Sequence, residues 1–273
     1  MAEAQDTAGA LFRAGKLDAA IEAANAAVRR APGELGGRIL LAELLLFAGN
    51  LERSDVILDA AMQADPTAAV VVAEFRQLLR AETARRQLSR DGRVPEFLGE
   101  PTPTLKATLA GFVALRAGDA AEAARQAELA EEARPRAPGV HAAGEAETRF
   151  EDFRDIDDLG AGYFEVLTTT GKYFWIPTER VSSLEFHPPR RPRDLAWRRA
   201  TISVADGPDG EVYLPTIYDC TEPGLVDALR LGKATDWRES GGGPVRGVGQ
   251  RMFLVDDAAL ALMSLERLQF GGA

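Results

Sequence analysis

The sequence predicts an α+β chain, with a helical-repeat domain over residues 1–150 and a small β-rich domain over residues 151–273. Two observations carry that expectation. In the first half a Gly-to-Pro interval of 17 residues occurs three times, at Gly15–Pro32, Gly49–Pro66 and Gly118–Pro135, each filled with helix formers. Past Phe150 alanine thins out, and apolar strand formers alternate with polar residues between turn signals.

The first two units are offset by 34 residues and the third by a further 69, close to two such steps. A 34-residue step with Gly at the mid-repeat turn and Pro at the end marks a tetratricopeptide-type helix pair. Small residues such as Ala20, Ala27, Ala61, Ala123 and Ala130 let the two helices of a unit approach closely. Glycine supplies the positive-φ turn between them, and proline ends the second helix because it has no N–H for the next backbone bond. The repeat's usual Trp and Tyr positions are vacant, so the units are divergent. Between the second and third units the register fails. Ala68 to Arg90 reads as one longer helix, with Val72, Phe75, Leu78 and Leu79 on a single face that should be buried. A polar loop through Pro103 follows it.

Glu145 to Asp158 is an acid-rich stretch read as a linker. Beyond it, Tyr163–Thr169 and Lys172–Ile176 flank Thr170-Gly171, a hairpin signal. Ala200, Ile202 and Val204 alternate up to Gly207-Pro208-Asp209-Gly210, with Val212, Leu214 and Thr216 after it, a second hairpin. Gln250–Val255 and Leu262–Phe270 are further strands, the second with a start that could be helical. An internal echo relates Gly171-Lys172-x-x-Trp175-Ile176 to Gly249-Gln250-x-x-Phe253-Leu254 and suggests a duplicated β-unit.

At 273 residues there is room for two cores. A net charge of -10 repels phosphate backbones and anionic lipid heads, which argues against nucleic-acid and membrane partners. The most apolar run, Ile39 to Ala48, is broken by Glu43 and too short to span a bilayer. A lone cysteine, Cys220, excludes an intramolecular disulfide, fits a reducing compartment and reads as structural. The opening Met1–Asp6 is acidic, without the basic and apolar regions of a signal peptide. A cytoplasmic protein is expected.

Candidate chemistry is sparse, and neither a cofactor nor a catalytic residue is expected. His141 and His187 form no HxxxH or HExxH pattern, and no CxxC exists, so metal sites are not indicated. The acid-rich stretch lacks calcium-loop spacing. The loop Gly241-Gly242-Gly243-Pro244-Val245-Arg246-Gly247-Val248-Gly249 lacks the Gly-Lys-Ser/Thr and the following helix of a phosphate cradle, so it reads as an inter-strand loop. The basic cluster Arg190, Arg191, Arg193, Arg198 and Arg199 encloses Trp197. It admits two readings: an anion or RNA patch with a stacking aromatic, or an internal clamp onto Asp152, Asp155, Asp157 and Asp158. The clamp, or a protein contact, is favoured.

Several segments of the β-half resemble the ImpE/SciE family, also called TagJ. They are Gly171-Lys172-Tyr173-Phe174-Trp175-Ile176-Pro177, Pro188 to Ala200, Asp206 to Pro215, Asp227 to Gly232 with Thr235-Asp236-Trp237, and Gly247-Val248-Gly249-Gln250-Arg251. The resemblance implies a cytoplasmic, non-enzymatic accessory protein of type VI secretion. It further implies binding to the N-terminal helix of the small contractile-sheath subunit (TssB/VipA type) and a link to the ClpV ATPase. It carries over no catalytic residue.

A helix-in-groove complex needs an apolar channel. Stacked repeat helices can supply one through Phe12, Leu40, Leu44 and Phe47, with Phe75 or Leu79 closing an end. Such a complex would bury roughly 1,200–1,600 Å². The alternative function is a small-molecule-binding or enzymatic β-domain that uses Arg190, Arg191 and Trp197.

Overall fold

The computed structural model describes residues 7–219, 222, 224–239 and 241–271, and Cys220 lies outside them. Helices α1 (Ala8–Arg13), α2 (Leu17–Arg30), α3 (Leu35–Phe47) and α4 (Leu51–Ala64) form two antiparallel pairs. Gly15 and Gly49 turn each pair at φ +76 and +75, the left-handed region where a side chain is disfavoured. Both α2 and α4 stop two residues short of the proline expected to end them. After a 3-10 turn at Pro66–Ala68 comes the long α5 (Ala69–Asp91), whose Val72, Phe75, Leu78 and Leu79 are all buried as its spacing requires. The third pair is α6 (Pro103–Ala117) and α7 (Ala120–Ala133), turned by Gly118. The polar loop between α5 and α6 also contains a two-residue strand, β1 (Glu96–Phe97).

Strands begin well ahead of the composition change near Phe150. β2 (Gly139–Ala143) and β3 (Ala146–Phe150) form a hairpin inside the stretch partly read as a linker. It lies at the sheet rim with a mostly exposed outer strand, so no apolar alternation advertised it. β4 (Phe153–Asp155), β5 (Tyr163–Leu167), β6 (Tyr173–Pro177), β7 (Val181–Phe186), β8 (Trp197–Val204) and β9 (Asp209–Pro215) follow, then the short α8 (Asp227–Arg230). The chain ends with β10 (Thr235–Arg238), β11 (Arg246–Gly249), β12 (Met252–Val255), β13 (Ala258–Ala261) and β14 (Arg267–Phe270). Both expected hairpins form, as β5–β6 and β8–β9. The last segment opens as a 3-10 turn, Leu262–Ser264, before becoming a strand.

Nine strands make one sheet in the order β1-β6-β5-β9-β8-β7-β14-β2-β3, antiparallel except for the β1–β6 edge. β13-β12-β4 form a second sheet, and β10–β11 a separate ribbon. The internal echo lands on a repeat of different register. Hairpin, 3-10 turn and strand recur as β5–β6 then β7, and as β12–β13 then β14, with β7 and β14 neighbours in the large sheet.

Side chains along a strand alternate between its faces, and here both faces of the central strands are buried. Tyr163, Leu167, Tyr173, Trp175, Trp197 and Tyr213 join a core shared with Leu44, Phe47, Phe75 and Leu79 of the helices. Phe164, Val166, Ile176, Ala200 and Leu214 form a second core with Phe153 and Phe253 of the small sheet. Phe153 is its centre, stacked on Phe253 at 4.9 Å and in contact with Phe150, Phe164 and Phe270. Phe153→Ala should lower unfolding free energy by about 3–5 kcal/mol, read as a drop in the urea midpoint at unchanged m-value.

Candidate functional site

The concave side of the repeats is where a tetratricopeptide-type module would hold a ligand, and here most of it is already filled. The loop between β7 and β8 makes a 3-10 turn at Pro192–Leu195 that packs on α3. Leu195, Ala196 and Trp197 continue the seal, with the Trp197 ring edge-on to Phe75 at 5.9 Å and its Nε1 donating to Glu82 at 3.2 Å. The expected open trench along Phe12, Leu40, Leu44, Phe47, Phe75 and Leu79 is therefore corrected. Leu40 is half-buried and the other five are interior side chains, covered by this chain's own residues.

What stays open is a cleft of about 510 Å³ at the C-terminal end of α3. Leu46, Phe47 and Ala48 line one side, Trp197, Ile217 and Leu229 the other, and Arg86 and Arg90 stand on the α5 wall. Of the residues singled out in the sequence, Phe47 and Trp197 border it.

Below the cleft a charged network crosses from helix to sheet. Glu165 on β5 accepts from Arg85 Nε at 3.0 Å and Nη2 at 3.1 Å, and also from Arg251 and the Tyr173 hydroxyl. Burial alone would raise the Glu165 pKa, but Arg85 and Arg251 outweigh it and hold the carboxyl at about 2. Asp155 has the opposite balance. Burial, opposed by Arg251 and reinforced by Asp157, pushes it up to about 6. Its Oδ1 accepts from the Tyr218 hydroxyl at 2.7 Å, whereas Oδ2 has no hydrogen-bond partner. A cavity of about 60 Å³ lies among these groups. Breaking such a buried set by removing one partner leaves an uncompensated charge, so it fixes how the two halves dock.

The segments that carry the family resemblance act as anchors. Asp227 Oδ2 accepts the Leu17 amide at 2.9 Å, placing a carboxylate at the N-terminus of α2, where the helix dipole favours it. Lys233 Nζ donates to the Arg13 carbonyl at 2.9 Å at the end of α1, and Arg230 pairs with Asp18 at 3.0 Å. One short segment of the β-half thus holds both ends of the first repeat's turn. In Gly247-Val248-Gly249-Gln250-Arg251 the glycines are steric. A Cβ on Gly247 would run into the Tyr218 ring, and one on Gly249 into the Ala234 carbonyl. Arg246–Gly249, expected to be part of an inter-strand loop, is strand β11, and β12 follows it where a phosphate cradle needs a helix.

The arginine cluster does not act as one unit. Arg193 is buried and pairs with Glu74 of α5 at 2.7 Å, and Arg198 donates to the carbonyls of His187 and Met263. Arg190 and Arg191 are exposed, and both offer their amides to Asp194. Arg199 pairs with Glu211. None of the five meets the acid-rich stretch, so the clamp onto it is corrected: Asp152 is taken by Arg134, Asp157 by Arg246, Asp155 by Arg251 and Asp158 by Arg154. Trp197 is 2% exposed, which leaves no stacking platform. Nor do Arg190 and Arg191 converge with it on a pocket, because only Trp197 lines the cleft. His141 and His187 sit on separate elements, and among the described residues no group of three or more His, Cys, Asp or Glu is placed to hold a metal ion. No helix among them is long and apolar enough to cross a membrane.

Helical repeats sealed by a β-sheet define a tetratricopeptide-type protein with a dedicated β-half, and comparison with known proteins makes that specific. The tetratricopeptide repeat model matches residues 11–78, and the ImpE protein model matches residues 147–269. The chain is 34% identical over 263 residues to the type VI secretion system accessory component TagJ of Pseudomonas aeruginosa, covering 95% of this chain and 89% of that protein. The crystal structure of protein VPA1032 from Vibrio parahaemolyticus superposes with a TM-score of 0.89 at 26% identity, over 97% of this chain and 98% of that one. The chain belongs to the ImpE/TagJ family.

Glu43 of α3 faces the sealing loop, and sequence reasoning noted it only as a break in an apolar run. Burial outweighs the attraction of Arg193 and raises its pKa from 4.5 to about 7. A carboxyl with a raised folded-state pKa favours the fold while protonated, and that contribution is lost as pH climbs from 4.5 through 7. Glu43→Gln should match the natural protein's stability near pH 5 and exceed it by about 3 kcal/mol near pH 8. Urea unfolding at the two pH values measures this.

Proposed function

We propose that this protein is a non-enzymatic accessory factor of type VI secretion, working in the cytoplasm. Its task is to bind the N-terminal helix of the small contractile-sheath subunit and so to influence sheath assembly or its ClpV-dependent turnover. Family membership supports the secretion role, and the tetratricopeptide-type repeats support binding another polypeptide. The observation that carries the reading is the open end of the repeat groove. A cleft of about 510 Å³ with Leu46, Phe47 and Trp197 on its walls is large enough to take the apolar anchors of a helix turn. Arg90 on the same wall offers a charged hydrogen bond to the flank of that helix, while Arg86 beside it is held by Glu82.

Calorimetric titration with the sheath subunit's N-terminal peptide should show saturable 1:1 binding. Ala48→Trp, at a half-buried position on the cleft wall at the edge of the core, places its ring in the open space. It should weaken binding by about 10-fold or more with an unchanged melting temperature. Undiminished affinity in the filled cleft would move the binding surface elsewhere.

A further inference from the structure

The loop that seals the repeats displays the chemistry their groove accepts. Arg193 of the β7–β8 loop packs against α3 and α5 and is 1% exposed. Its Nη2 donates to Glu74 Oε1 at 2.7 Å, and its guanidinium lies 4.7 Å from the Phe75 ring centroid, a cation–π arrangement. Tyr213 also donates to Glu74, from β9. Glu43 faces the same arginine, with Arg191 and Asp194 as the other charges acting on it. Two carboxylates and an aromatic face therefore surround one cationic side chain.

The fit is incomplete. Arg193 Nε and Nη1 and Glu43 Oε1 are buried without a hydrogen-bond partner. A formed ion pair would lower the carboxyl pKa, yet Glu43 is raised and Arg193 lowered, in both cases chiefly by burial. Unmet buried donors offset much of what the contact contributes. The backbone bonds of Arg190, Arg191 and Asp194 are local as well, and the Arg193 backbone acts only on Glu43 outside the loop. The Arg190 and Arg191 amides donate to the Asp194 side chain, and the Asp194 amide to the Arg191 carbonyl. Only Leu195 and Ala196 are tied to the sheet end, through Thr216. The loop can swing out as far as Asp194 without breaking a strand ladder.

We propose that the repeat groove is a receptor for an amphipathic helix bearing an arginine or lysine, held in cis by Arg193 until a partner helix displaces the 188–194 loop. The inference rests on the sheath-helix reading above and adds the partner's chemistry. Position supports the exchange. Ala196 and Trp197, just after the loop, line the open cleft, as does Phe47, one helical turn along α3 from Glu43. A helix that enters the cleft and runs toward the N-terminus of α3 meets Arg193, and its own cation can take the site between Glu43, Glu74 and Phe75.

The test uses the full chain and the sheath subunit's N-terminal peptide in two forms, natural and with its Lys and Arg residues replaced by Gln. Arg193→Ala removes the internal competitor and should tighten binding of the natural peptide by about 10-fold, because the closed state no longer reduces the competent fraction. Arg193→Met, which keeps the stem packing, serves if the alanine variant fails to fold. Arg125→Ala, exposed on α7 and paired only with Glu122, should leave affinity unchanged. The Gln-substituted peptide should bind the natural protein at least 10-fold more weakly. Amide hydrogen exchange should show the Arg190, Arg191, Arg193 and Asp194 amides losing protection on saturation with the natural peptide. Binding that is equal for the natural protein and the Arg193 variants, with the loop still protected, would overturn the inference and leave the sheath reading intact. Absence of binding to every variant would overturn both.

Discussion

Everything in this structure depends on one face of the large sheet meeting the inner face of the helical repeats. Along β5 and β6 the alternation of side chains sends Tyr163, Leu167, Tyr173 and Trp175 toward the helices and Phe164, Val166 and Ile176 toward the small sheet. Neither face of these strands is left to solvent. The charge on the helix-facing side, Glu165, would be untenable alone, and Arg85 from α5 and Arg251 from the end of the sheet make it a fastening. Repeats of this class usually leave the concave side free for a ligand. Here most of that side is consumed by the protein's own architecture.

This gives the family-specific segments a physical role. Asp227 and Arg230, with Lys233 just beyond them, grip the turn between α1 and α2, the glycines of Gly247-Val248-Gly249 let the β11 strand lie on Tyr218, and Arg251 completes the charge network. These are devices for holding a sheet against a solenoid. Binding is left to the short open end of the groove, beside a loop whose buried arginine is incompletely satisfied. The surfaces that confer stability and the surface open to a partner lie side by side on α3.

Local features were readable in advance. Gly–Pro spacing marked the helix pairs because φ > 0 and a missing N–H leave little conformational choice. The 3.6-residue period exposed α5, and turn chemistry located the β5–β6 and β8–β9 hairpins. The rest depends on contacts across long stretches of chain. Arg85 and Glu165 lie 80 residues apart, and Leu17 and Asp227 lie 210 apart, so no spacing rule connects them. The β2–β3 hairpin escaped notice because its Ala, Glu and Thr content matches the helices before it. The arginine cluster was visible as a cluster, but its members point in different directions once β8 alternates and the preceding loop turns inward. Phe12, Leu44, Phe75 and Leu79 are interior side chains where the sequence suggested an open trench, because the β-half, expected as a separate domain, shares their core.

Scanning calorimetry of the full chain tests the shared core most directly. If helices and sheet are joined through one apolar interface and its Arg85–Glu165–Arg251 fastening, unfolding is a single transition with equal calorimetric and van't Hoff enthalpies. Two resolved transitions, one for the repeats and one for the β-half, would contradict the account.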